Sequence, residues 1–364
     1  MIRVALALVL ALAGGGLFTV IHIPLPWLLG PMTAVFLGAR LIKGFQLKWP
    51  GSLRNTAMII IGYSFGLSLT TEALADMGRQ LPTMVLMTVL LMVFSALIAF
   101  TVAKITGDPL PTVLLGSVPG GLSQMLILAE EAQGVDLTIV TFMQVSRLMM
   151  IIFCVPLLIF SPLFGGTHSA DAAAAAGSAG ADWGGLFPNI LPFAAVCVAA
   201  AFLAQKIRFP TAFLLGPMIV TAVLHLSGAY GPALPTPLLN AAQLLIGGYV
   251  GLLLHPENLE HKVRTIGLAI LSGLALIAGS LGFSVLLTEL HPISAATSFL
   301  SLAPGGMDQM GIMAKEVHGD LAIVSCYQLF RIWFIYFAVT PLIRLIIKRL
   351  APSGHAGGRT AGER

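Results

Sequence analysis

The chain has 364 residues, of which 57% are hydrophobic and 9% charged, with a mean hydropathy of +0.95 and a formal net charge of +4. A soluble domain carries about 25% charged residues, so this chain cannot cover its own surface in water, which excludes a soluble globular protein. The pI near 9.1 calls for no nucleic-acid partner, because the basic residues sit mostly in short loops and at the C-terminus, as membrane topology requires.

Six apolar segments are predicted in the first half, near 2–21, 24–42, 56–75, 80–103, 109–131 and 137–163. Six more follow near 185–204, 210–228, 239–255, 265–288, 293–315 and 321–347. Most have the length of about 17–25 residues that crosses a hydrocarbon core of about 30 Å. Met1–Gly16 looks like a signal peptide, with Arg3 ahead of an apolar run. Its counterpart around Leu186–Leu203 lies in mid-chain, so the segment is read as part of the fold.

The halves repeat one another. Leu28-Leu29-Gly30-Pro31-Met32 returns as Leu214-Leu215-Gly216-Pro217-Met218, and Gly62 and Gly66 match Gly247 and Gly251. Pro119-Gly120-Gly121 matches Pro304-Gly305-Gly306, and Asp136, Gln144 and Arg147 match Asp320, Gln328 and Arg331. The expected organisation is a first membrane repeat over 1–163, an Ala/Gly/Ser linker over 164–184, a second repeat over 185–349 and a basic tail over 350–364.

Gly30-Pro31 and Gly216-Pro217 should kink or break the second helix of each half. The two Gly-xxx-Gly spacings suit close helix packing through small residues. The fifth segment of each half is interrupted by Pro-Gly-Gly, which removes a backbone donor and favours coil. Each flanking piece is about half a bilayer long, so the segment is either a re-entrant hairpin or a crossing helix broken at the midplane.

Charge counting chooses between these. With the N-terminus cytoplasmic and the fifth segments not crossing, only Arg79 and Lys315 of the 19 basic residues fall outside, while Arg147 and Arg331 lie within helices. If every segment crosses, Lys206, Arg208, Lys262 and Arg264 move outside as well. The positive-inside rule favours the first arrangement. It gives an odd number of crossings per half, hence inverted repeats, with about ten crossings and two broken segments in all.

The candidate substrate-binding residues are Pro119, Gly120, Gly121, Gln124, Gln144 and Arg147, with Pro304, Gly305, Gly306, Asp308, Gln309, Gln328 and Arg331. Asp136, Gln144 and Arg147 fall on one helical stripe, as do Asp320, Gln328 and Arg331. A charge near mid-membrane costs at least a few kcal/mol unless paired or hydrated. Either the arginines line a polar path that meets substrate, or they hold the free carbonyls of a broken helix. The residues after each turn start a half-helix whose N–H groups suit an anion. Asp308 stands where the first half has Ser123; it is a coupling site for a proton or sodium, a cap, or an arginine partner.

Cys154, Cys197 and Cys326 lie in apolar stretches and read as buried thiols. The eight histidines form no helical metal pair. No nucleotide or zinc signature occurs, and no cofactor is expected. The aromatic run from Tyr327 to Phe337 is expected to face lipid or other helices.

The duplicated Gly-Pro segments, the Pro-Gly-Gly-x-x-Gln-Met strings and the trailing Gln-x-x-Arg resemble the AbrB family of bacterial membrane proteins over nearly the whole chain. Its members are labelled as ammonia monooxygenases or as regulators of gene expression; the name is shared with a small soluble DNA-binding regulator that this chain does not resemble. The family is also distantly similar to cation/proton antiporter and anion-transporter folds. A monooxygenase needs a metal or flavin site, and the scattered histidines offer none. The expected protein is therefore an all-α, multi-pass protein of the bacterial cytoplasmic membrane and not an enzyme. It would transport a small polar or anionic solute, with the lipid bilayer, that solute, a coupling proton or sodium and further copies of itself as partners. A membrane-bound regulator acting through a partner is the alternative.

Overall fold

A computed structural model describes residues 2–23, 25–41, 47–120, 122–132, 134–161, 164, 186, 190–207, 209, 211–252 and 262–350. The described residues are all-α, and five helices are long and apolar enough to cross a membrane. The linker from residue 165 to 185, Gly121 and the tail beyond Leu350 lie outside them.

The first half holds α1 (Ile2–Val20), α2 (Pro26–Leu41), α3 (Gly51–Gly66), α4 (Thr71–Thr106), α5 (Leu110–Ser117), α6 (Leu122–Glu131) and α7 (Leu137–Ile159). The second holds α8 (Ile190–Lys206), α9 (Ala212–Leu226), α10 (Thr236–Gly251), α11 (Lys262–Leu290), α12 (Ala295–Leu302), α13 (Met307–Glu316) and α14 (Leu321–Phe334). A π-helical turn over Ile335–Val339 leads into α15 (Thr340–Leu350).

The third segment stops sooner than the apolar run suggests, at Gly66 instead of residue 75. Thr70 starts the next helix by accepting the Ala73 N–H on its hydroxyl at 3.2 Å. Pro31 and Pro217 sit inside α2 and α9, both of which run on past them.

The helices of one half pack on those of the other. Gly62 lies against Leu214 and Pro217, and Gly66 against Met218 and Thr221, so α3 runs alongside α9 in the same direction. Gly247 lies against Leu28 and Pro31, and Gly251 against Met32, which places α10 along α2 in the same way. A Cβ on Gly66 would stand 2.6 Å from the Met218 carbonyl oxygen, and one on Gly251 2.5 Å from that of Met32. Only glycine permits this approach of backbones. Both Gly-Pro strings are buried at these contacts.

Matching helices run antiparallel. The Arg54 guanidinium, near the start of α3, lies 4.8 Å over the ring of Tyr249, near the end of α10. His291 Nε2, just past the end of α11, is 2.9 Å from Thr83 Oγ1, about a third of the way along α4. Farther along the same pair, Phe94 and Phe283 meet edge to face with centroids 5.8 Å apart.

Candidate functional site

Each interrupted segment is a helical hairpin. Thr112, in the first turn of α5, accepts the backbone N–H of Asp136 on its Oγ1 at 3.1 Å. Asp136 follows the end of α6 by five residues and caps α7. The segment therefore starts and finishes beside the same end of α7, with its turn about 12–15 Å away along the helices. Thr297 makes the matching bond to the Asp320 N–H at 3.0 Å.

Asp136 and Asp320 do not join the stripe of Gln and Arg at depth. Asp136 Oδ1 accepts the N–H groups of Thr138 and Ile139 at 2.8 and 3.1 Å. Asp320 Oδ1 accepts that of Ile323 at 3.0 Å. Both are helix caps at the ends of the hairpins.

The turn leaves the last carbonyls of α5 without helical partners. Gln144 Nε2 donates to Leu115 O at 2.6 Å and Val118 O at 3.1 Å. Arg147 Nη1 donates to Ser117 O at 3.1 Å and Val118 O at 3.0 Å, with a longer contact to Gly116 O. Arg147 Nη2 donates to Gln144 Oε1 at 2.6 Å and so fixes the amide's orientation. The second half repeats the arrangement. Gln328 Nε2 reaches Leu300 O at 2.7 Å and Ala303 O at 3.1 Å. Arg331 Nη1 reaches Ala303 O at 2.7 Å, and its Nη2 bonds Gln328 Oε1. Arg147 is 7% exposed and Arg331 4%.

Of the two roles the sequence leaves open, carbonyl capture is the one seen in this conformation. The guanidinium's planar fork of donors suits several acceptors at once. The second turn also approaches the helix that carries Arg147. A Cβ on Gly305 would stand 2.9 Å from Ile151 Cγ2, one helical turn beyond Arg147.

Pro119 and Pro304 are buried at the turns. Gly120 and Gly305 are each covered by the methionine that ends the motif: a Cβ would stand 2.7 Å from Met125 Cε and 2.6 Å from Met310 Cε respectively. Gly306 N-caps α13, and Asp308 and Gln309 fold back over it. Asp308 is 6% exposed and accepts from Gln309 Nε2 on Oδ2 at 2.9 Å. It forms no ion pair among the described residues. The side chain of Gln124 lies outside the described residues, as does Gly121.

The halves are not equal at the turns. Arg331 Nη2 also crosses its turn to Gly305 O at 2.8 Å. Arg147 makes no matching bond to Gly120; its Nε and the hydroxyl of Ser117 are buried without partners. Both line a cavity of about 10 Å³ between α4, α5, α7 and α11, together with Ser95, Ser272 and Gly273. The hydroxyls at this cavity are not legible in the sequence, because Ser95, Ser117 and Ser272 are brought together from three helices, among Ile98, Met143 and Leu276.

Comparison with known proteins gives one consistent result. A family model described as "Transition state regulatory protein AbrB" matches residues 27–347. The chain is 27% identical over 343 residues to a protein of Escherichia coli (strain K12) named "Putative regulator AbrB", covering 93% of this chain and 94% of that one. It is 28% identical over 356 residues to "Uncharacterized protein YhjN" of Bacillus subtilis (strain 168), covering 92% and 90%. The match takes in both hairpins, both Gln-x-x-Arg pairs and the glycine contacts that interlock the halves: this all-helical, membrane-type chain belongs to the AbrB family.

Proposed function

We propose that the protein is a secondary transporter of a small polar or anionic solute in the bacterial cytoplasmic membrane, working by alternating access between two duplicated, inverted halves. One observation carries the reading: two hairpins end deep in the protein in Pro-Gly-Gly turns, each held through carbonyls by a buried Gln-x-x-Arg. Interrupted backbone at membrane depth is tolerated only against protein or a water-filled path. The antiparallel course of matching helices supports the inversion.

In this reading the solute binds between the turns, against Gly120, Gly305, Gly306, Gln309 and the N–H groups that begin α6 and α13. Gln144, Arg147, Gln328 and Arg331 hold the turns and supply positive potential. Asp308 takes the coupling proton or sodium. Rocking one half against the other moves the site between compartments.

The test is a solute-flux screen in proteoliposomes, with intact protein beside the Arg147→Ala/Arg331→Ala and Asp308→Asn variants at equal folded amounts. Flux of a polar or anionic solute that falls in the variants is the expected result. No flux of any such solute, or full flux in all variants, overturns the reading. The alternative of a membrane regulator acting through a partner draws on the family description and the name of the Escherichia coli relative. It requires altered gene expression without solute flux.

A further inference from the structure

We propose that the cavity between α4, α5, α7 and α11 is a resident site for one halide-sized monovalent anion, held by Arg147 Nε and the Ser117 hydroxyl. The argument starts from charge. Among the described residues, the ionisable side chains of Arg, Lys, Asp and Glu buried in the protein are Arg147, Arg331 and Asp308, two basic groups against one acidic. Arg147 forms no ion pair there. Its terminal nitrogens are occupied by carbonyls and by Gln144, which are dipoles and cancel no net charge. An uncompensated charge at membrane depth is costly, and a small anion beside it removes that cost.

Geometry supplies the place. Arg147 Nε and Ser117 Oγ are both buried donors without partners, and both line the cavity. Ser117 is 6% exposed. A buried donor left unpaired costs about 1–3 kcal/mol, and two at one void mark a place built to be filled. The volume of about 10 Å³ is that of about one water-sized probe, so a single small ion is the most it can hold. No carboxylate lines the cavity to repel an anion. Ser95 and Ser272 also face it, but their hydroxyls donate to Met92 O and Ala269 O, each at 2.9 Å. Ser117 is therefore the hydroxyl already free to donate. The second half shows no such pair of unpartnered donors: Ser301 donates its hydroxyl to Thr297 O at 2.7 Å, and Arg331 Nε is not among the buried groups left without a partner.

The site stands apart from transport, since the protein can hold this ion and never move it. The full-length protein in detergent is unfolded thermally, followed by tryptophan fluorescence, with sodium chloride or bromide titrated against sodium gluconate at constant ionic strength. Chloride and bromide are expected to raise the midpoint saturably, and gluconate is not. Ser117→Ala leaves the backbone carbonyl that Arg147 uses in place and is expected to raise the half-saturating halide concentration at least about tenfold. Arg147→Lys, which keeps the charge but removes the Nε donor, serves as the second variant if the first does not fold. Equal midpoints in all three salts, as a water-filled cavity would give, overturn the proposal. So does a halide effect unchanged by the serine substitution. Absence of any solute flux by the intact protein, with halide binding present, would sink the transport reading and leave this one standing.

Discussion

Gln144 and Arg147 converge on one atom: the carbonyl oxygen of Val118 accepts from Gln144 Nε2 at 3.1 Å and from Arg147 Nη1 at 3.0 Å. The two side chains are also bonded to each other at 2.6 Å. The pair acts as one clamp on the last carbonyls before the Pro-Gly-Gly turn, and Gln328 with Arg331 is the corresponding clamp on Ala303.

A lysine in place of either arginine keeps the charge but loses the planar fork. Arg331→Lys is expected to lower stability by at least about 2 kcal/mol, because a single ammonium cannot serve Ala303 and Gly305 together and buried carbonyls are left bare. Arg147→Lys is expected to cost less, since Arg147 does not span its turn. Thermal unfolding of both variants beside the parent checks the order; a larger loss for Arg147→Lys would contradict the asymmetry.

The glycine contacts predict opposite signs for two glycine substitutions. Gly62→Val would drive a side chain into the Leu214 carbonyl and Pro217, and should cost at least about 1–3 kcal/mol or block assembly. Gly16→Ala meets nothing within 4 Å and should be neutral or stabilising by about 0.5–1 kcal/mol. Unfolding midpoints of the two variants decide.

The hairpins predict a labelling pattern. In a background with Cys154, Cys197 and Cys326 replaced by alanine, cysteines at Asp108 and Gly134 should react from one compartment. Cysteines at Pro292 and Gly319 should both react from the other. Modification with a membrane-impermeant maleimide reads this out. Asp108 and Gly134 reacting from opposite sides would mean that the first interrupted segment crosses the membrane.

The aspartate caps predict a modest local effect. Asp136→Ala removes the acceptor for Thr138 and Ile139 and should cost about 1 kcal/mol, as should Asp320→Ala. Hydrogen exchange should quicken at the first turn of α7 or α14 and remain unchanged at the turns near Val118 and Ala303.

Much of this was legible in the amino-acid order because it is written locally. Pro-Gly-Gly announces a break wherever it falls in an apolar run, and a buried Arg three residues after a Gln announces a need for acceptors nearby. The identity of those acceptors was open, since spacing along one helix says nothing about which carbonyls stand opposite it. Gly62 and Gly66 advertised a close contact but not that its partner would be the Gly-Pro helix of the other half. Thr112 and Thr297 gave no signal, because one hydroxyl in an apolar helix has many local uses. The start of α4 at Thr71 was missed because the apolar run continues through Leu67 and Leu69, where a single threonine cap outweighs hydropathy. The π-helical turn at Ile335–Val339 left no compositional trace either; it is visible only in the backbone and in the Thr340 hydroxyl's bond to Ile335 O at 2.9 Å.

The interlock of α3 with α9 and of α2 with α10 has a consequence for assembly. Neither set of grooves can be filled by its own half, so a polypeptide ending near residue 160 would display two bare backbone seams to lipid. Such a fragment could bury them only by meeting a second molecule threaded through the bilayer the other way up. Cutting the link between residues 165 and 185 while supplying both pieces should therefore be tolerated, whereas supplying one piece should not. Carrying both halves on one chain fixes their one-to-one ratio and spares each from waiting for its complement.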